Sequence, residues 1–197
     1  MSDEERVISW LEDNYKGLII GLLIGLSALF GYKSFIANQN DYQLEISREY
    51  EISVDSYNKG NSDAILEFSN TYMSSDPSNT YTLFANLYSA KIMFEKKSYE
   101  EAISYLTHII EHSKDIELKN LAIYRKSKIL IELNDVVQAL SIIDKDTENY
   151  QLIELRSDIY VLQKKYSLAA QGYREVLSFP ITPNERKNIT AKLNSIQ

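Results

Sequence analysis

The sequence predicts an all-α protein, with one N-terminal transmembrane helix followed by an array of paired helices. Three observations carry that reading. Residues 17–32 (GLIIGLLIGLSALFGY) form an uncharged apolar run between Lys16 and Lys33. Beyond it, prolines occur only at 77, 180 and 183, and no strand-like alternation interrupts long segments of helical period. Within those segments Ala64, Ala102, Ala139 and Ala169 recur at intervals of 38, 37 and 30 residues, a periodicity that points to internal repeats.

Sixteen helical residues at ~1.5 Å each reach ~24 Å, short of a ~30 Å hydrocarbon core. Adding Tyr15, Lys16, Lys33 and Phe35 closes the gap, because lysines snorkel to headgroups and aromatic rings settle at the interfaces. The span is therefore 15–36, with a leader at 1–14 and a repeat domain at 37–197. The leader holds Asp3, Glu4, Glu5, Glu12 and Asp13, and no A-x-A-like site follows the apolar run. Both features argue for an uncleaved anchor over a signal peptide. In the leader, Ser2 and Glu5 can form a capping box. Val7, Ile8, Leu11 and Tyr15 make an apolar stripe expected to form a short helix on the membrane surface. Arg6 and Lys16 against Lys33 favour a cytoplasmic N-terminus, which places the repeat domain outside, in a bacterium the periplasm. Gly17, Gly21 and Gly25 line one face of the span, a spacing that lets a second transmembrane helix approach closely. Glycine is also common in membrane helices generally.

After a polar link at Asn38–Asp41, LRSDIYVLQKKYSLAAQGYREVL (155–177) fits the tetratricopeptide pattern. Ser157, Tyr160, Tyr166, Ala169 and Tyr173 occupy its small, aromatic, turn-following, small and large positions. Ala90, Met93, Tyr99, Ala102 and Leu106 occupy the same five in SAKIMFEKKSYEEAISYL (89–106), and Ser127, Leu130, Val136, Ala139 and Ile143 do so in 126–143. A weaker copy over about 45–78 places Ala64 and Phe68 there. Small residues let two antiparallel helices touch, and the bulky residue one turn on fills the neighbour's groove. Thr182-Pro183-Asn184-Glu185 opens a final helix to about Ile196 that caps the array.

The chain has net charge −7 and no cysteine. An acidic domain without a basic stripe repels phosphate backbones, so nucleic acid is not an expected partner. Without cysteine there is no disulfide framework, thiolate metal site or thiol nucleophile. One motif resembles catalytic machinery: His108-Ile109-Ile110-Glu111-His112 matches the H-x-x-E-H pattern of zinc peptidases. A third histidine ligand is lacking, since the chain has two histidines in all. The repeat register turns His108, Glu111 and His112 to water at a helix end, where histidines also complement the helix dipole. Replacing both with alanine is then expected to leave folding unchanged. Asp144-Lys145-Asp146-Thr147-Glu148 lacks the loop glycine of an EF-hand and reads as a solvated turn. The sequon Asn188-Ile189-Thr190 lies in an expected helix. No catalytic, metal or cofactor residue is assigned.

In the order of its acidic leader (EERVISWLEDNYKG), glycine-rich span and degenerate repeats, the chain resembles the YfgM family of ancillary membrane proteins of the bacterial Sec translocon. The resemblance implies a single-pass inner-membrane protein without catalytic residues. Its repeat domain would be periplasmic, associating with the translocon, with periplasmic chaperones and with unfolded or extended emerging chains. The repeat register alone gives the same class of function. First helices of a solenoid offer a surface that binds extended or helical peptides. Phe84, Leu87, Lys91, Phe94, Tyr124, Lys128 and Ile131 fall on it, mixed apolar and basic, although packing against a neighbouring helix accounts for them equally. The alternatives are an anchored receptor or scaffold facing the cytoplasm and, from another class, a zinc metallopeptidase acting through HIIEH.

Overall fold

A computed structural model describes residues 3–196, and the described residues contain helices and no strand. The expected capping box at Ser2 lies outside them. The chain divides into two compact units, 1–49 and 50–197. Helix α1 runs unbroken from Asp3 to Asn58. The Val7–Tyr15 stripe and the polar Asn38–Asp41 are therefore turns of one helix rather than a separate surface helix and a link. The reason is local: from Tyr32 to Lys59 there is neither glycine nor proline to break the 3.6-residue period, and polarity alone does not end a helix. Among the described residues, α1 is the helix long and apolar enough to cross a membrane, with mean hydropathy 1.8 over its most apolar window and none of that window buried.

The second unit continues with α2 (Asp63–Ser75), α3 (Thr80–Glu95), α4 (Tyr99–His112), α5 (Ile116–Glu132), α6 (Val136–Ser141), α7 (Tyr150–Leu162), α8 (Tyr166–Val176) and α9 (Pro183–Asn194). Side-chain caps set several of the starts. Asn79 accepts from the Tyr81 N–H, Asp115 from Glu117 and Leu118, Asp135 from Gln138, and Asn149 from Gln151 and Leu152. Thr182 and Glu185 form the expected capping box ahead of α9. From α2 onward each helix packs mainly on its chain neighbours, and α5 also touches α7, the one-dimensional arrangement of a solenoid.

The repeat is written most clearly in its turns. Gly60, Lys97, Asn134 and Lys164 all have left-handed φ, at 91°, 62°, 61° and 58°. After each, the next residue's N–H reaches back five residues to a carbonyl: Asn61 to Ser56, Ser98 to Met93, Asp135 to Leu130 and Lys165 to Tyr160, at 2.8–3.0 Å. These are Schellman closures, which satisfy carbonyls left open at a helix end. Seven residues before each turn sits a small buried side chain: Ser53, Ala90, Ser127 and Ser157. Five residues after it sit Ile65, Ala102, Ala139 and Ala169, all fully buried.

This frame corrects the first copy by one residue. Ile65 and Ser69, not Ala64 and Phe68, hold the positions of Ala102 and Leu106, and Ala64 is only half-buried. Bulk is exchanged there, with the large residue at the small site and Ser69 at the large one. Ser69 hydrogen-bonds Ser89 through their hydroxyls at 2.7 Å. In the last pair the closest approach uses Gly172, whose missing Cβ would lie 2.1 Å from Ser157 Oγ. The array ends where Ile189 and Leu193 of α9 bury against the α7–α8 core. Lys192 bonds both Glu154 and Asp158 at 2.7–2.8 Å, pinning α9 to α7.

Candidate partner-binding groove

Between α3 and α5 lies a cavity of about 250 Å3. Lys91 and Phe94 enter from α3, and Tyr124, Arg125 and Lys128 from α5; Ala90, Leu106 and Ile129 complete the apolar lining. Four of the seven expected groove residues thus meet at one place. The other three do not: Phe84 is exposed elsewhere on α3, Leu87 packs against the α3–α4–α5 core, and Ile131 packs against the α5–α6–α7 core. Arg125 is the addition. A charged residue beside Tyr124 reads as solvated surface in the sequence, and only its spacing to Lys128 on the same face hints otherwise.

Phe94 is 42 % exposed and contacts Tyr99 with ring centroids 5.6 Å apart. Lys91 donates to Tyr57 Oη at 3.3 Å and lies 3.9 Å from Glu95, a long and exposed pair worth little. The hydrogen bond to Tyr57, the tyrosine's field and Glu95 raise the Lys91 pKa, while Arg125 opposes them, so two positive charges face each other here. A larger cavity of about 420 Å3 adjoins residues 144–145. Arg156, one of the two cations that line it, is committed to the carbonyls of Asp144 and Lys145 at 3.0 and 2.6 Å. The side chains of Asp144, Asp146 and Glu148 are exposed, as expected of a solvated turn, while Arg156 ties down the turn's backbone carbonyls.

HIIEH takes a different place from the one expected. His112 is half-buried and Glu111 exposed, but His108 is only 9 % exposed, and its Nδ1 lies 2.9 Å from Asn86 Nδ2. With Asn86 donating, the ring proton sits on Nε2, and the ring lies tilted against His112 at 4.4 Å between centroids. Hydrophobic patterning places this end of α4 in water; packing against α3 covers it instead. Among the described residues no group of three His, Cys, Asp or Glu converges as a metal site. Burial, and then His112, lower the His108 pKa. Protons therefore bind the unfolded chain first, so this contribution is intact above about pH 6.5 and lost as pH falls through the depressed folded value.

His108→Ala is expected to destabilise by about 1–3 kcal/mol by leaving Asn86, which is 0 % exposed, without that partner. His112→Ala should stay within about 0.5 kcal/mol. Urea titrations at pH 7.5, 6.5 and 5.5 check both, and His108→Gln should flatten the loss below pH 6.5.

Residues 9–197 match the family described as tetratricopeptide repeat-like domain. The chain belongs to that family. The match to the tetratricopeptide repeat-like family takes in the apolar segment of α1 as well as the whole array. Relatives called "Ancillary SecYEG translocon subunit" are similar over most or nearly all of the chain. That of Escherichia coli (strain K12) is 23 % identical over 195 residues, covering 98 % of this chain and 94 % of the relative. That of Haemophilus influenzae is 23 % identical over 201 residues, covering 98 % of each. That of Aggregatibacter actinomycetemcomitans is 24 % identical over 170 residues, covering 85 % and 83 %. The resemblance read from the leader, span and repeats is borne out by these relatives.

Proposed function

We propose that this chain is a membrane-anchored, non-catalytic interaction subunit of the Sec translocon. Its α1 would lie in the inner membrane and its repeat array in the periplasm. The observation that supports this most is the end-to-end similarity to relatives bearing the translocon-subunit name, which spans anchor and array together. The α3–α5 groove is then the docking face for periplasmic chaperones and extended emerging chains. Gly17, Gly21 and Gly25 recur every four residues along the span, the spacing at which a second transmembrane helix would approach.

Tagged full-length chain, recovered from membranes in mild detergent, should bring the translocon subunits with it. Gly21→Leu should remain inserted and folded yet recover about tenfold less, equivalent to about 1.4 kcal/mol. A reporter active only outside the cytoplasm, fused after Gln197, should be active. Activity only from a cytoplasmic reporter at that position would favour the anchored scaffold facing the cytoplasm.

A further inference from the structure

The α3–α5 cavity combines features that surface patches rarely share. Three cations, Lys91, Arg125 and Lys128, ring a notch lined with Phe94, Tyr124 and Ile129 in a chain of net charge −7. Among the described residues neither Arg125 nor Lys128 has an ion pair, and the pair of Lys91 is long. Two other cations of the array are held in place, Lys192 by two carboxylates and Arg156 by two carbonyls and Glu175. The concentration of positive charge is also a product of the repeat. Lys91 and Lys128 each precede their left-handed turn residue by six, and the next copy replaces them with Asp158. At that repeat position the notch therefore carries lysine where the last copy carries a carboxylate.

Like charges crowded on one face repel unless an anion sits among them, and an apolar notch gains by taking an apolar group. At about 250 Å3 the cavity suits a single large side chain rather than a whole small-molecule ligand. Flanking helices α3 and α5 leave it open at the mouth, as extended peptide docking on a solenoid requires. We propose that this pocket binds a peptide segment in which one large apolar side chain is flanked by carboxylates. The apolar group fills the space beside Phe94 and Tyr124, while Lys91, Arg125 and Lys128 pair with the acidic neighbours. This deepens the function proposed above and rests on it for the partner being a polypeptide.

The test uses the full chain in detergent and three fluorescein-labelled, end-blocked heptapeptides. One has a central phenylalanine among aspartates, one has lysines in place of the aspartates, and one has alanine in place of the phenylalanine. The first should bind at least tenfold more tightly than either other. Arg125→Glu with Lys128→Glu should abolish that preference, and Phe94→Ala should remove the discrimination against alanine. Lys187→Glu, an exposed charge reversal on α9, should change neither. The variants sit on exposed side chains, and their melting temperatures show whether they fold. Equal binding of all three peptides, absence of binding, or displacement by anionic lipid micelles without peptide preference would overturn the assignment. Translocon recovery from membranes separates the two readings. Recovery without peptide preference sinks only the ligand, whereas peptide preference without recovery sinks only the translocon function.

Discussion

Tyr173→Ala is expected to cost about 3–5 kcal/mol, the range for removing a large buried aromatic side chain. Tyr173 is 2 % exposed, among Ile153, Ala169, Val176 and Ile189, where α7, α8 and α9 meet. Its hydroxyl donates to Asp158 Oδ1 at 2.7 Å, and the same carboxylate accepts from Lys192 of α9. Burial and the carboxylate both raise the phenol's pKa, so it remains a donor across the physiological range. Removing the ring opens a cavity and unhooks α8 from the Asp158–Lys192 link at once. Tyr173→Phe keeps the packing, and Lys192 still satisfies Asp158, so its cost should fall to about 1 kcal/mol. Urea unfolding followed by far-UV circular dichroism separates the two. Because repeat arrays unfold partly segment by segment, a detached C-terminal transition in the alanine variant fits the same picture.

Ala169→Leu is expected to be the next most damaging change. Ala169 is 0 % exposed, and one turn on Gly172 already admits no Cβ without moving Ser157. Extra methylenes at such a seam force backbone shifts costing about 1–3 kcal/mol. For an array of this size that lowers the melting temperature by roughly 2–10 °C. The corrected register supplies the control. Ala64→Leu should be tolerated, because Ala64 is half-buried and the seam of the first copy is occupied by Ile65. A large loss at Ala64 with none at Ala169 would reverse the register.

That register error shows what the sequence discloses. Alanines 102, 139 and 169 are legible because close helix contact admits few residue types. The first copy is not, since Ile65 and Ser69 exchange bulk and a half-buried alanine lies one position away. Of the four left-handed turns, glycine and asparagine announce Gly60 and Asn134, whereas Lys97 and Lys164 carry no such signal. Gly172 could have been found, as a glycine inside a helix costs about 1 kcal/mol and calls for a packing reason. His108 could not, because its burial depends on a tertiary neighbour, Asn86, contributed by another helix. The groove was half legible. Spacing placed Lys91, Phe94, Tyr124 and Lys128 together, but no pattern separated them from Leu87 and Ile131, which turn into the core.

The central claim is that the groove between α3 and α5 meets Sec-associated polypeptide outside the membrane. Photo-crosslinking in intact cells tests it most directly, with a benzophenone amino acid placed at Phe94 and, in a separate strain, at Lys187 on exposed α9. The expected result is strong crosslinks from position 94 to translocon, chaperone or emerging secretory chains, with few from position 187. Crosslinks to those chains from position 187 but none from position 94 would contradict it.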